Sequence, residues 1–294
     1  MWSFIQKIFK ALIIAPLDFI TKYFKSFVLL LIVLVFFSAK ESAPSAPPNL
    51  AKLYLNGAIF STEDFDKEVD KILKTPSIKG VLLLIDSPGG AVSASVELSE
   101  KIADLKQKMP VLAYARGVMA SGSYYAGMQA SEVYASKASL IGSIGVIFSG
   151  ANVENLLNKV GVATQGVHAG EYKEIGTFTR AWKPNEKDFL QNLVNEQYQM
   201  FVNDVAKARK LDAKDYKDFA EGKVFSAQKA LKLKLIDKIS TIKQAQDRLM
   251  ELSKVKKAYW LEKSPMERFI EKATQSATNI ITQALSLIHI SDGA

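Results

Sequence analysis

Residues 80–90, Gly80-Val-Leu-Leu-Leu-Ile-Asp-Ser-Pro-Gly-Gly90, carry the most informative pattern in the chain. Val81 to Ile85 are apolar at every position, without the alternation of a half-solvated strand, so both faces should be covered, as in a parallel sheet lined by helices. Outward from this strand, short apolar runs alternate with helical periods. Leu53 to Leu55 and Val111 to Ala115 read as strands, and 62–74, 91–107 and 121–129 as helices. That order argues for an α/β domain with right-handed crossovers. Residues 187–208 add a helix with Phe189, Leu190, Leu193, Val194, Phe201 and Val205 on its apolar positions.

Composition narrows the chemistry. The 294 residues include no cysteine and two histidines, His168 and His289, which removes thiol nucleophiles and disulfides and argues against a multi-histidine metal site. No metal or other cofactor is expected. Of the net charge of +8, residues 1–25 contribute +3, from Lys7, Lys10, Lys22 and Lys25 against Asp18. The remaining lysines alternate with acids, as in 212–218, which reads as solvated surface rather than a nucleic-acid-binding patch.

Ser26 to Ala39 is an uncharged run of 14 residues behind four lysines. As a helix it spans about 21 Å, short of the roughly 30 Å hydrocarbon core, so it reads as a signal-peptide core or as a short anchor with snorkelling lysines. Small residues for cleavage are poorly placed, which favours an uncleaved anchor in the bacterial cytoplasmic membrane. The lysine excess puts the N-terminus in the cytoplasm and the rest on the extracytoplasmic side. The domains expected are 1–39 as N-terminal segment and anchor, 40–50 as a Pro/Ser/Ala linker, 51–250 as the main domain, and 251–294 as a C-terminal helical arm.

Two strand ends could do chemistry. Asp86-Ser-Pro-Gly-Gly90 opens a helix with backbone N–H groups facing outward, although twin glycines in a turn are often only structural. In Gly117-Val-Met-Ala-Ser-Gly-Ser-Tyr-Tyr-Ala126, Ser121 sits at a helix start, as a nucleophile or as an N-cap. The Gly122 N–H and one from 89–90 could hold an oxyanion. Lys173, in the polar loop Gly170 to Gly176, is a base candidate if desolvated and otherwise an ordinary surface lysine.

Asp86-Ser-Pro-Gly-Gly90, Met119 to Tyr125, Leu140 to Val146, Gly170-Glu-Tyr-Lys173 and Val224 to Ala230 with Leu235-Ile-Asp237 occur in the order of the signal peptide peptidase A (protease IV) family, which residues 51–245 resemble. The resemblance implies a Clp-protease/crotonase-like fold and a Ser–Lys serine peptidase. Ser121 matches the nucleophile, Lys173 the general base, Ser143 the serine that orients the lysine, and Gly90 and Gly122 the oxyanion hole. It also implies a homo-oligomeric ring with serine and lysine meeting between subunits, and cleaved signal peptides as substrates. Three departures stand out: Ser123 where a second glycine is usual, Thr177-Phe178 for Ser-Pro, and Lys234 for a glycine.

Three rivals remain: a Ser–His–Asp hydrolase using His168, a crotonase-type acyl-CoA enzyme, and an inactive membrane-associated scaffold. At the C-terminus, Met266 to Leu285 has amphipathic spacing. Residues 285–294 resemble a translated sequencing adapter and are expected to be non-native, which takes His289 out of the chemistry.

Overall fold

The computed structural model describes residues 15–38 and 46–261. The chain divides into two compact units, 1–47 with 262–294, and 48–261. The expected arm beyond residue 261, the amphipathic stretch, His289 and the suspected tail all lie outside the described residues.

In the first unit, α1 (Ala15–Ser38) is 24 residues long and its side chains from Phe19 to Val33 are solvent-facing. Its uncharged part begins only after Lys25. Among the described residues no helix is long and apolar enough to cross a membrane.

The second unit alternates strand and helix: β1 (Ala51–Asn56), α2 (Glu63–Leu73), β2 (Val81–Ser87), α3 (Val92–Lys108), β3 (Val111–Ala120) and α4 (Gly122–Gly127). It continues with β4 (Glu132–Ala135), β5 (Leu140–Gly142), α5 (Glu154–Lys159), α6 (Pro184–Arg209), α7 (Tyr216–Phe219), β6 (Val224–Ser226), α8 (Ala227–Lys232), β7 (Lys238–Ile239) and α9 (Ile242–Leu252). The sheet order is β1-β2-β3-β4-β7, all parallel, with β5 parallel to β3 and antiparallel to β6.

The central strand behaves as its composition demands. Val81, Leu83 and Ile85 pack with Phe65, Val69 and Leu98, while Leu82 and Leu84 turn the other way to Ala245 and Leu249 of α9. All five strand residues are at most 2% exposed, each contributing about 1.5–3 kcal/mol of burial. The α6 pattern is half correct: Leu190, Phe201 and Val205 are buried, but Phe189 and Leu193 are exposed. The domain also extends past 250, since Leu252, Val255, Ala258 and Trp260 pack against the α9 side and Leu50 bridges Trp260.

The expected strand ending at Ala115 in fact runs on to Ala120. Pairing with β2 is regular to Ile85–Ala115, then slips so that Ser87 faces Met119. The extra residues form a bulge, held by Asp86, whose Oδ1 accepts the Val118 N–H at 2.9 Å. Gly117 leaves room for this contact, since a Cβ there would sit 2.6 Å from that oxygen and push the Asp86 carboxylate aside. Below the bulge β3 pairs with β4; above it Val118 to Ala120 pair with β5. The upper half delivers the chain to Ser121.

Two of the departures are resolved by backbone geometry. Ser123 does not have positive φ. It is fully buried, and its Oγ lies 2.7 Å from the Ser87 carbonyl and 2.9 Å from that of Ala120, and accepts the Ala120 N–H at 2.9 Å. The hydroxyl therefore ties the end of β2 to the end of β3. Lys234, by contrast, has φ 60°, a left-handed conformation that a glycine adopts without cost.

Ser123→Ala would remove the buried hydroxyl that joins the Ala120 N–H to the Ser87 and Ala120 carbonyls, and should destabilise the domain by about 0.5–1.5 kcal/mol, read as a lower midpoint in denaturant titration. Lys234→Gly should move the midpoint the other way.

Candidate active site

Ser121 has φ 54° and ψ −126°, a conformation costing on the order of 1–3 kcal/mol for a residue with a side chain. It is held from both sides: its N–H donates to the Gly142 carbonyl at 2.7 Å and its carbonyl accepts the Tyr125 N–H at 3.0 Å. Although it occupies the N-cap position of α4, its side chain makes no capping hydrogen bond. The N-cap alternative therefore drops out, and the hydroxyl is left for other work.

Gly89 and Gly90 lie directly against this turn. Gly89 has φ 95°, and a Cβ there would come within 2.6 Å of the Gly122 nitrogen and 2.8 Å of Ser121 Cβ. Gly90 is pinned beside Ile59, whose carbonyl takes the next N–H, that of Ala91, at 2.8 Å. The Gly90 nitrogen would lie 3.4 Å from a Cβ on Gly122. Among the described residues neither the Gly90 nor the Gly122 N–H is engaged by a protein acceptor. Two neighbouring free donors beside a strained serine form an arrangement suited to a developing oxyanion. Sequence reasoning missed Ser95. Its Oγ, bonded to the Ala91 carbonyl at 2.8 Å, occupies the space a Cβ on Gly122 would need, 2.0 Å away.

Ser121, Gly90 and Ser143 line one cavity of about 590 Å³. Ser143 has φ 49° and its N–H donates to the Lys223 carbonyl at 2.7 Å. A narrower pocket of about 30 Å³ opens beside Ser121 and Gly122, walled by Val92, Val96, Tyr125, Met200 and Phe201. Burial pushes the Tyr125 hydroxyl well above the usual tyrosine range, and it donates to Asp204.

Lys173 is not brought to this cavity. It sits exposed on a turn at 170–176, and neither it nor His168 lines the Ser121 cavity or the adjoining pocket. The turn is firmly braced. Tyr172 stacks on Phe189 at 4.9 Å, Glu171 accepts from Asn185 at 2.8 Å, and the Trp182 indole donates to the Thr177 carbonyl at 2.8 Å. His168 Nδ1 lies 3.2 Å from Glu174, Glu174 lies 3.8 Å from Arg180, and Arg180 grips Glu186 through two contacts of 2.7 and 2.8 Å. Glu186 also accepts the Lys183 N–H at 2.8 Å, and the Arg180 guanidinium with this N–H holds its carboxyl down at about 2. Phe178, one of the departures, is exposed while its carbonyl accepts the Val153 N–H at 2.8 Å.

A strained, uncapped serine at a strand-to-helix turn, with two free backbone N–H groups beside it, is an arrangement suited to a serine-nucleophile hydrolase. Residues 103–256 match the model of Peptidase family S49. A Synechocystis sp. protein named "Putative protease slr0021" is 39% identical over 204 residues, 68% of this chain and 73% of its own. "Putative protease MJ0651" of Methanocaldococcus jannaschii is 38% identical over 187 residues, 64% of this chain and 60% of its own. Protease 4 of Salmonella typhi is 28% identical over 250 residues, 80% of this chain but 40% of its own. The chain thus spans 40–73% of the length of these three relatives. Among solved structures, a mutant ClpP1 of Listeria monocytogenes covers 66% of this chain and 93% of its own, at TM-score 0.47 and 15% identity. The chain belongs to peptidase family S49, the signal peptide peptidase A family, whose members are serine-type peptidases.

Because the Glu186 carboxyl is depressed to about 2 in the fold, its contribution is present above the ordinary glutamate pKa of about 4.3 and is lost as pH falls through about 2. Hydrogen exchange of residues 177–187 should accelerate specifically across this window. In Glu186→Gln that acid-dependent step should be absent.

Proposed function

We propose that the chain is a membrane-anchored serine endopeptidase in which Ser121 is the nucleophile and Lys173 the general base. The observation that carries this reading is the strained Ser121, with its hydroxyl free of any cap and the Gly90 and Gly122 N–H groups unengaged beside it. A neutral Lys173 amine takes the Ser121 Oγ proton as Oγ bonds to the scissile carbonyl carbon. The carbonyl oxygen becomes an oxyanion held by Gly90 and Gly122. As the C–N bond breaks, the lysine returns the proton to the leaving amine. Water, deprotonated by the same amine, then hydrolyses the acyl-enzyme. Ser143, on the wall of the same cavity, orients the amine.

Because Lys173 stands on a braced, exposed turn away from the cavity of its own chain, we assign the dyad to two copies meeting in a ring, with a Clp-protease/crotonase-like fold for each. Support comes from the 147–178 segment, where Ile147, Leu156, Val160, Val167 and Phe178 are exposed and α5 buries no residue. Apolar surface of this kind marks association sites. A lysine serves as base only once desolvated, and the neighbouring copy supplies that surface.

The apolar pocket beside Ser121 supports apolar peptide substrates. With residues 26–39 as anchor, the N-terminus cytoplasmic and the peptidase domain extracytoplasmic, cleaved signal peptides left in the bilayer are the substrates proposed. A second reading rests on His168, whose Nδ1 faces Glu174 as in a Ser–His–acid triad.

With a quenched fluorescent apolar peptide and detergent-extracted full-length chain, Ser121→Ala and Lys173→Ala should each lose about 10³-fold or more in kcat/KM, and His168→Ala should stay within about twofold of wild type. Full activity in Lys173→Ala with loss in His168→Ala would replace the dyad by the triad. A wild type inert on every peptide would leave the scaffold reading standing.

A further inference from the structure

One carboxylate stands on the Ser121 cavity with no cationic partner among the described residues. The wall of that cavity is built from Pro88, Gly90, Val92, Ser121, Ser143 and other uncharged residues, and Glu221 is its single charged side chain among the described residues. Glu221 is positioned with unusual care for a surface acid. Its backbone has φ 62°, a region a non-glycine residue enters only when its surroundings enforce it. Its N–H donates to the Tyr198 hydroxyl at 3.1 Å, and that hydroxyl donates back to Glu221 Oε1 at 2.7 Å. Flanking residues lock the turn to the strand end that carries Ser143: the Gly222 N–H donates to the Ile144 carbonyl at 2.8 Å and the Ser143 N–H to that of Lys223 at 2.7 Å. The Lys223 ammonium is directed elsewhere, onto the Lys217 carbonyl at 2.6 Å.

We propose that Glu221 is a specificity-determining residue that makes the Ser121 cavity select peptides placing a cationic group against it, a Lys or Arg side chain or a free amino terminus. This rests on the peptidase reading and adds a charge requirement to it. Tyr198 aims the carboxylate, and the hydroxyl stays a donor because burial and the Glu221 carboxylate raise it to about 12. Pairing with Lys173 of a neighbouring copy is the competing role for Glu221. It is disfavoured because a carboxylate beside that ammonium would hold the proton the base has to lose.

The test is kcat/KM for apolar peptides in which one position at a time is Lys, Gln or Glu, each made with a free and with an acetylated amino terminus. Wild type should prefer Lys over Gln at one position by about fivefold, the scale of one partly exposed charge pair, and the preference should shrink with salt. Dependence on the acetyl group instead of on Lys assigns the site to a terminal amine. In Glu221→Gln the Lys/Gln ratio should fall to about one, and in Glu221→Lys the enzyme should prefer Glu. Tyr198→Phe should lower the ratio part-way while leaving the hydrophobic ring in place. These ratios do not depend on the absolute activity of a variant. An unchanged ratio in Glu221→Gln overturns the proposal, as does an equal loss on every peptide with a displaced acid limb of the pH profile, which would put Glu221 against the base. Cleavage by wild type with no charge preference refutes this inference alone, whereas no cleavage at all refutes the peptidase reading with it.

Discussion

Ser121 can hold its positive φ only because the chain around it leaves no alternative. The Gly142 carbonyl takes its N–H, the first turn of α4 takes its carbonyl, and Gly89 lies so close that a Cβ on it would meet Ser121 Cβ and the Gly122 nitrogen. Each of these neighbours comes from a different strand end, so the conformation depends on the ends of β2, β3 and β5 meeting at one point. The bulge in β3 brings this about. By changing partner from β4 to β5 at Gly117, the strand ends beside Gly142, and Asp86 fixes the change through the Val118 N–H. Ser123 then fastens β2 to β3 from inside. Strain of a few kcal/mol is affordable here because the surrounding strand is among the most deeply buried parts of the molecule.

On the proposed reading, that scaffold completes one half of a hydrolytic centre and leaves the other half elsewhere. Ser121, the free N–H donors and a cavity with an apolar side pocket lie together on one chain. The lysine stands on a turn fastened to α6 by an aromatic stack, an amide hydrogen bond and the Glu174–Arg180–Glu186 chain. So much bracing for an exposed turn fits a part presented to another molecule. On the proposed reading the two halves meet only in the assembly, which would keep a lone chain inert until it reaches its partners.

The sequence was most readable where structure is local. The unbroken apolar run at 81–85 implied two covered faces, and both are covered, by α2 and α3 on one side and α9 on the other. Up to residue 129, and again at 187–208, the helix and strand order followed from period alone; the short strands and helices between and after them were not read. The continuation of β3 was not readable, because its bulge is stabilised by Asp86, some thirty positions upstream, and Arg116-Gly117 looks like an ordinary strand end. Ser121 was ambiguous between cap and nucleophile until its side chain proved to cap nothing. Lys173 was a base candidate from its polar loop and gained a proposed role from its motif, while the structure leaves it exposed and away from the Ser121 cavity. Ser95 and Glu221 were invisible, since their significance lies in contacts to Gly122 and Tyr198 that chain spacing does not announce.

The central claim, that Ser121 of one copy works with Lys173 of another, is tested most directly by mixing two inactive chains. Ser121→Ala and Lys173→Ala proteins, each inert alone, are combined, dissociated and reassembled, and peptide cleavage is followed. Random assembly of equal amounts would rebuild roughly one site in four, so activity should return to about a quarter of wild type. Mixtures that remain as inert as either parent, in assemblies of wild-type mass, would contradict it.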